Sequence, residues 1–281
     1  MRAGDWLLRA GAVLEPFAGR EAGREARLML GAASGWSAAR VAVARDEGLA
    51  PEVLGRAEAM LERRLAREPL ALILGEWGFF GRSFAVTRDT LVPRPDTETL
   101  VELALAEPFG RVIDLGTGSG AIAVTLLAER GAASGVATDL SAGALEVAGG
   151  NAARHGVAGR LAFVQADWWQ GVEGRFDLIV SNPPYVSAAE YDRLAPEITR
   201  YEPRAALTPG GDGDGLSAYR AILAGVGLHL SPGGRVLVEI GAAQGEAVVA
   251  LFAAAGLDAV AVHPDMTGKA RVVSGRARAV V

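Results

Sequence analysis

The fold is decided by residues 112–121, which read VIDLGTGSGA. An apolar strand runs into a glycine-rich turn and then into a helix. Glycines let the backbone approach a ligand closely, and the start of a helix offers unpaired N–H groups. Gly116, Gly118 and Ala121 also satisfy the looser dinucleotide-binding spacing. The stretch therefore predicts a ligand-binding turn of an α/β sheet, and it leaves more than one nucleotide-like ligand open.

An acid in the strand helps to separate these ligands. Asp114 lies two residues before the first glycine. Its carboxylate would repel a pyrophosphate, whereas it would attract a ligand that carries an ammonium group. Gly120 adds the tighter Gly-x-Gly-x-Gly spacing. Both details favour a ligand other than a dinucleotide.

Two further acids follow the next two predicted strands. Asp139 comes after the strand at 135–138, where an acid can accept hydrogen bonds from both ribose hydroxyls. Asp167 follows the strand at 161–165 and can accept from an adenine amino group, with Trp168 beside it to lie against the ring. Three acids after three strands suit a nucleoside with a charged amino-acid tail. This describes S-adenosylmethionine better than NAD.

A fourth predicted strand, at 176–181, ends in Asn182-Pro183-Pro184-Tyr185, here called the rim. The prolines stiffen the backbone and supply no N–H. The Asn182 side-chain oxygen and the Pro183 carbonyl can accept the two hydrogens of a planar amide or amine, and Tyr185 can stack on a flat group. The rim is therefore predicted to hold a nitrogen nucleophile and to stabilise the charge that develops on it.

The sequence offers no other catalytic apparatus. Methyl transfer from a sulfonium needs no strong general base, because the thioether leaves readily. The three histidines, His155, His229 and His263, cluster with nothing in the sequence, and there is no cysteine. No metal-ligand spacing is present, so we expect no metal.

The rest of the chain fits a doubly wound α/β sheet that follows an N-terminal helical bundle. We predict an N-terminal helical domain over 1–72, a β-hairpin linker over 73–95 and a catalytic domain over 96–281. Arg94, between two prolines, is expected to border the active site, and Asp96 or Thr97 to cap the next helix. Further strands are predicted at 111–115, 235–240, 258–263 and 270–276, and helices at 119–130, 141–154, 216–229 and 243–255.

Composition bounds the environment and the partners. The chain has 281 residues, of which 50% are hydrophobic, and a formal net charge of −5. Proteins that bind nucleic-acid backbones are usually basic, so we expect no direct nucleic-acid binding. Charges interrupt the first 17 residues, and no apolar run reaches the roughly 18 residues of a membrane span. We expect a soluble, cytoplasmic monomer.

The motifs together resemble the protein-(glutamine-N5) methyltransferases of peptide chain release factors, the HemK/PrmC family. The resemblance covers roughly residues 65–280. It rests on the glycine turn, the rim and four further segments: the stretch from Pro69 to Trp77, VPRPDTE at 92–98, Glu202-Pro203-Arg204, and the glycine-rich stretch from Gly211 to Leu216.

This resemblance implies a seven-stranded, Rossmann-like class I methyltransferase sheet and methylation of the glutamine in the release factor's Gly-Gly-Gln motif. The helical bundle would bind the release factor. The rim and Arg94 would bind the substrate, with Asn182, Pro183 and Tyr185 as the catalytic residues. The residues implied to bind S-adenosylmethionine are Asp114, Gly116, Thr117, Gly118, Ser119, Gly120, Asp139, Asp167, Trp168 and Asn182.

Three alternatives stay open. The first is an adenine-N6 nucleic-acid methyltransferase, which has a similar rim but should carry a basic face. The second is an NAD-dependent oxidoreductase, which would need neither Asp114 nor the rim. The third is a silent S-adenosylmethionine-binding scaffold, against which the intact rim argues.

Overall fold

The computed structural model describes residues 1–210 and 213–278. Gly211 and Asp212 of the glycine-rich stretch, and the last three residues of the chain, lie outside the described residues. The chain packs as two compact units, Met1–Gly75 and Glu76–Val281. Within the described ranges, none of the helices combines the length and the hydropathy that a membrane span requires.

The first unit consists of helices packed around small and large apolar side chains. A proline at its first position starts α4, and Gly35 and Gly75, both in the left-handed conformation, end α2 and α5. The buried Arg64 of α4 binds Glu25 of α2 at 2.8 Å. The hydrophobic core of the first unit includes Trp6, Leu14, Met29, Leu30 and Leu61. The helices are α1 (Ala3–Ala18), α2 (Ala22–Ser34), α3 (Ala38–Val43), α4 (Pro51–Leu65) and α5 (Leu70–Leu74).

The second unit opens with the predicted β-hairpin. Its strands are β1 (Glu76–Phe79) and β2 (Arg82–Ala85), paired antiparallel. The turn is Phe80–Gly81, with φ of 48° and 71°. Two-residue hairpin turns of this type need positive φ at both central residues, and Phe80 and Gly81 both have it.

The main sheet has the predicted seven strands, in the order β5-β4-β3-β6-β7-β9-β8. From β3 to β7 the strands are parallel, and β9 is antiparallel to both its neighbours. The prediction of a doubly wound, seven-stranded sheet is confirmed. The strands are β3 (Arg111–Leu115), β4 (Ser134–Asp139), β5 (Leu161–Gln165), β6 (Phe176–Ser181), β7 (Leu230–Glu239), β8 (Asp258–Pro264) and β9 (Ala270–Arg276).

Helices cover both faces of this sheet. On β3, Val112 packs into a core shared with α6 and α7, whereas Ile113 and Leu115 pack into a second core with α11 and α12. Alternate residues of one strand thus serve opposite faces. Because β3 to β7 are parallel, their carboxyl ends meet at one edge of the sheet. The helices are α6 (Glu98–Leu105), α7 (Ala121–Glu129), α8 (Ala142–Arg154), α9 (Ala188–Tyr191), α10 (Pro196–Tyr201), α11 (Ser217–His229) and α12 (Gly245–Ala254).

One strand is longer than predicted. β7 begins at Leu230 rather than at residue 235. Its first half was not predicted because the Pro-Gly-Gly sequence at 232–234 is typical of a turn. Pairing with β6 shifts register between Phe176 and Leu178, which accommodates the extra length. The carboxyl end of β7 is unaffected, and Glu239 closes it.

Candidate active site

A cavity of about 560 Å³ lies at the carboxyl edge of the sheet within the second unit. Ten of the predicted site residues line it: Arg94, Gly116, Thr117, Gly118, Ser119, Asp139, Asp167, Trp168, Asn182 and Pro184. Four others, Asp114, Gly120, Pro183 and Tyr185, belong to the same edge but do not line the cavity. Ten of the fourteen predicted site residues thus lie around one cavity.

The glycine turn has the left-handed backbone that its composition predicts. Gly116, Gly118 and Gly120 have φ of 71°, 56° and 80°. A side chain at Gly120 would press on Ala148, whose Cβ lies 3.1 Å from the position of the added carbon. The buried Asn151 of α8 donates to the Ser119 carbonyl at 2.8 Å. These contacts hold the turn in one conformation at the cavity wall.

Asp139 binds the turn from the neighbouring strand. Its Oδ2 accepts from the Gly118 N–H and its Oδ1 from the Ser141 N–H, both at 2.9 Å. A carboxylate has about four acceptor positions, so two remain for ligand hydroxyls. Asp139 thus shapes the cavity wall and keeps the acceptors that a ribose requires.

Asp114 is fully buried beneath the turn rather than in the cavity wall. Its Oδ2 accepts from the Thr117 hydroxyl at 2.7 Å and from the Ala123 N–H at 3.3 Å. Its Oδ1 has no hydrogen-bond partner in the described part of the chain. Burial raises the pKa of Asp114 to about 7. An unpartnered buried acceptor fits a ligand that brings a cation, such as the ammonium group of S-adenosylmethionine.

The raised pKa of Asp114 predicts a pH dependence for cofactor affinity. The carboxylate form attracts the cation; it predominates above pH 7 and is lost as the pH falls. Because a group with a pKa of about 7 is about one-tenth ionised at pH 6, we expect S-adenosylmethionine to bind roughly tenfold more weakly at pH 6 than at pH 8. Calorimetry across this range measures it. Asp114→Asn should bind weakly at every pH, and an unchanged pH slope in that variant would contradict the assignment.

Asp167 and Trp168 follow β5 as predicted. Asp167 is exposed, Trp168 is half-buried, and both line the cavity. The Trp168 backbone has a φ of 55°, which is rare for a bulky residue and aims its side chain differently from an extended residue. The adjacent Trp169 has a structural role, because its Nε1 donates to the Ile222 carbonyl at 2.9 Å.

The rim contains two acceptor oxygens of interest, one on Asn182, which lines the cavity, and one on Pro183, which does not. The Asn182 Nδ2 donates to the Thr97 hydroxyl at 3.1 Å. Among the described residues, neither the Asn182 Oδ1 nor the Pro183 carbonyl accepts a hydrogen bond. The Tyr185 hydroxyl donates to Glu239 at 3.3 Å. The Tyr185 side chain points to that buried acid and is not among the residues that line the cavity. Stacking of Tyr185 on the substrate therefore stays a prediction.

Arg94 is already engaged by the protein. Its Nη2 donates to both carboxylate oxygens of Glu202, at 2.7 and 2.8 Å. Burial raises the pKa of Glu202, and Arg94 opposes that rise. This ion pair connects the segment after β6 to the Pro-Arg-Pro segment. Residues within 203–209, which follow Glu202, contribute to the cavity lining. Arg94 borders the cavity, whereas its contact with a substrate stays a prediction.

Removal of Arg94 should destabilise the second unit. Arg94→Ala leaves the buried Glu202 carboxylate without its cation, and we expect a loss of about 2–3 kcal/mol in the free energy of unfolding. Urea denaturation measures this. Arg154→Ala is the matched control, because its partner Glu76 is exposed and that pair lies at 3.4 Å; its loss should stay below about 0.5 kcal/mol. Equal losses in both variants would contradict this role for Arg94.

Two buried residues of the site, Thr97 and Glu239, were not predicted from the sequence. Asp96 or Thr97 was expected to cap α6; Thr97 occupies the N-cap position, but its side chain makes no capping hydrogen bond. Its hydroxyl donates instead to Glu239 at 2.6 Å. Glu239 was not singled out, although an acid at the end of a parallel strand is the signal that identified Asp139.

Comparisons with known proteins match both parts of the chain to family models. Residues 5–75 match the model of the PrmC N-terminal domain, and residues 95–213 match that of the methyltransferase small domain. A methyltransferase from Pyrococcus furiosus of known structure has a TM-score of 0.56 at 19% identity, over 79% of this chain and 100% of that chain. That likeness shows the fold alone.

Relatives in sequence carry more specific names. The release factor glutamine methyltransferase of Cereibacter sphaeroides is 55% identical over 98% of this chain and 99% of its own length. The one from Rhodospirillum rubrum is 42% identical over 98% of this chain and 83% of its own length. This chain therefore belongs to the family of release factor glutamine methyltransferases.

Proposed function

We propose that this enzyme transfers a methyl group from S-adenosylmethionine to the side-chain amide nitrogen, N5, of the glutamine in the Gly-Gly-Gln motif of peptide chain release factors, and so modulates translation termination. The observation that carries the proposal is the pair of unpartnered acceptors at the rim. A primary amide nitrogen has two hydrogens, and the rim has two oxygens for them. Family membership names the protein that brings this amide.

The cofactor would lie across the three acids of the sheet edge. Asp114 and the turn Gly116–Gly120 would hold its amino-acid part, Asp139 its ribose, and Asp167 with Trp168 its adenine. S-adenosylmethionine supplies, when bound, a methyl group on a sulfonium whose thioether leaves readily. The fit rests on the unpartnered Asp114 Oδ1 and on the remaining acceptor positions of Asp139.

The protein's own task is then to hold the nucleophile. An amide nitrogen is a poor nucleophile because its lone pair is delocalised into the carbonyl. Acceptance of its two hydrogens by the Asn182 Oδ1 and the Pro183 carbonyl raises its electron density and stabilises the positive charge that develops during transfer. The same two bonds fix the direction of the lone pair. The methylated, positively charged nitrogen then loses one of its two protons to water, so no strong base is required.

The remaining assignments are also proposals. Residues 1–72 would bind the release factor, residues 73–95 would link the two parts, and residues 96–281 would carry out the transfer. Pro184, Tyr185 and Arg94 would border the bound glutamine. Because release factors act on the ribosome, we expect the enzyme in the cytoplasm, and we expect it to act as a monomer without direct nucleic-acid binding.

Transfer of label from S-adenosylmethionine tests the proposal. Purified release factor, DNA and RNA are offered separately to the enzyme with labelled cofactor. We expect label on the release factor and none on either nucleic acid. Label on DNA or RNA alone would instead support an adenine-N6 methyltransferase, whose substrate also presents a planar amino nitrogen.

A further inference from the structure

A buried carboxylate lies behind the rim. Glu239 ends β7, and only 1% of the residue is exposed. Its Oε2 accepts from the Thr97 hydroxyl at 2.6 Å, and its Oε1 accepts from the Tyr185 hydroxyl at 3.3 Å. The Asn182 Nδ2 donates to the same Thr97 oxygen at 3.1 Å. Both polar side chains of the rim are thus connected to one buried acid.

These hydrogen bonds can run in one direction only while Glu239 is ionised. An ionised carboxylate accepts and never donates, and a hydroxyl has a single proton. The Thr97 hydroxyl donates its only hydrogen to Glu239. In the hydrogen bond between Thr97 and Asn182, the donor must therefore be Asn182. The amide nitrogen therefore faces Thr97, and the amide oxygen is the atom left for a ligand.

We propose that Thr97 and Glu239 are positioning residues, which hold the Asn182 amide with its Oδ1 toward the methyl acceptor. The inference rests on the proposed function, in which this oxygen binds an N–H of the glutamine amide. A rotated Asn182 would present its own NH₂ group to the substrate NH₂ group. It would also leave two oxygens, Asn182 Oδ1 and Thr97 Oγ1, facing each other without a proton between them.

The charge of Glu239 depends on the groups that surround it. Burial raises its pKa to about 7, against the lowering effect of the Thr97 hydrogen bond and of Arg271. The Tyr219 hydroxyl donates to the Glu239 main-chain oxygen at 3.0 Å. The groups facing it are Asp96 and Thr97 before α6, Tyr185 in the rim, Tyr219 on α11, and Arg271 on β9, which also binds Asp96 and Asp265.

Protonation of Glu239 should remove the constraint on the orientation of the Asn182 amide. A protonated carboxyl can donate to Thr97, and the Thr97 proton then becomes available to the Asn182 oxygen. Both orientations of the amide are then accommodated, and only one of them binds the substrate. The geometry therefore predicts turnover that falls as the pH decreases through about 7.

The first test compares hydroxyl variants at saturating S-adenosylmethionine with release factor as substrate. Thr97→Val keeps the side-chain shape without the hydroxyl, and Thr97→Ser keeps the hydroxyl. We expect kcat to fall about 10- to 100-fold in Thr97→Val and to stay within about threefold in Thr97→Ser, with the KM for the cofactor unchanged. Wild-type kcat in a folded Thr97→Val enzyme would overturn the inference.

Thr125→Val is the matched control for these variants. Thr125 is also fully buried in the second unit, and its hydroxyl has no hydrogen-bond partner within the described ranges. The substitution therefore removes a buried hydroxyl without breaking a chain of hydrogen bonds. We expect its kcat to equal that of the wild type, and a loss as large as that of Thr97→Val would indicate a general packing effect instead.

The second test is the pH profile of kcat with saturating cofactor, which removes the effect of Asp114 on affinity. Wild-type kcat should fall as the pH decreases through about 7 and then level off, because a fraction of the enzyme with protonated Glu239 keeps the productive amide orientation. Glu239→Gln cannot ionise, so its kcat should be low and independent of pH. The same acid limb in the wild type and in Glu239→Gln would overturn the role of Glu239.

A third measurement separates this inference from the proposed function. The side-chain NH₂ resonances of Asn182, assigned by their loss in Asn182→Ala, report whether Nδ2 is hydrogen-bonded without any substrate. They should shift through pH 7 in the wild type and stay constant in Glu239→Gln. If the release factor accepts no methyl group while these resonances behave as expected, only the proposed function fails. Resonances insensitive to pH in both proteins would overturn the inference alone.

Discussion

Replacement of Asn182 by alanine is expected to lower kcat on release factor by about 10²- to 10³-fold. The substitution removes the side-chain oxygen that would bind one N–H of the acceptor amide. The amide would then lose both its direction and half of the stabilisation of its developing charge. The effect should appear in kcat rather than in the KM for S-adenosylmethionine, because the lost interaction strengthens only as the methyl group is transferred.

Folding and cofactor binding should survive this substitution. Asn182 is only partly buried and makes one side-chain hydrogen bond, to Thr97 at 3.1 Å. Loss of that bond should cost about 1 kcal/mol in the free energy of unfolding. Thermal unfolding and calorimetry with S-adenosylmethionine provide the controls. A folded Asn182→Ala enzyme with unchanged turnover would remove the role proposed for this side chain.

Replacement of Asp139 by alanine is expected to weaken S-adenosylmethionine binding about 100-fold. The two hydrogen bonds proposed between ribose hydroxyls and this carboxylate would be lost, each worth about 1.5–3 kcal/mol, with the lower value suited to a half-exposed group. The Gly118 N–H also loses its acceptor at 2.9 Å. Because the carboxylate does not contact the acceptor amide, kcat at saturating cofactor should stay within a few-fold of the wild type.

Asp177 provides a matched control at the opposite edge of the sheet. Its Oδ2 accepts from the N–H groups of Gly110 and Arg111, each at 2.9 Å. Asp177→Ala therefore removes a carboxylate that also binds two backbone N–H groups, but it does so at the amino ends of β3 and β6. We expect it to cost stability and to leave the dissociation constant for S-adenosylmethionine unchanged. Equal affinities in Asp139→Ala and Asp177→Ala would contradict ribose binding by Asp139.

The parts of the fold that follow from local pattern were predictable. β3, β5 and β6 have the bounds expected from the sequence, because each is a short apolar run that ends in a glycine, an acid or the rim. The positions of the glycine turn and of Asp139 were predictable for the same reason, because these residues are adjacent in sequence to the strands that position them. The first half of β7 was not, because a Pro-Gly-Gly sequence ordinarily indicates a turn.

Contacts between distant residues were beyond a single sequence. Thr97 and Glu239 are 142 positions apart, and their hydrogen bond exists only because the sheet brings the end of β7 beside the start of α6. Thr97 was assigned a local role as a cap, which is the usual role of such a residue at a helix start. Likewise, the place of Arg94 at the edge of the site was predictable, whereas its pairing with Glu202 was not.

Mass spectrometry of the reacted release factor determines whether this site methylates an amide nitrogen. After incubation with enzyme and S-adenosylmethionine, fragmentation of the peptide that contains the Gly-Gly-Gln motif locates each added methyl group. We expect a single methyl group on the glutamine side-chain nitrogen with the wild type, and none with Asn182→Ala. A methyl group on any other residue, or equal methylation by both enzymes, would contradict it.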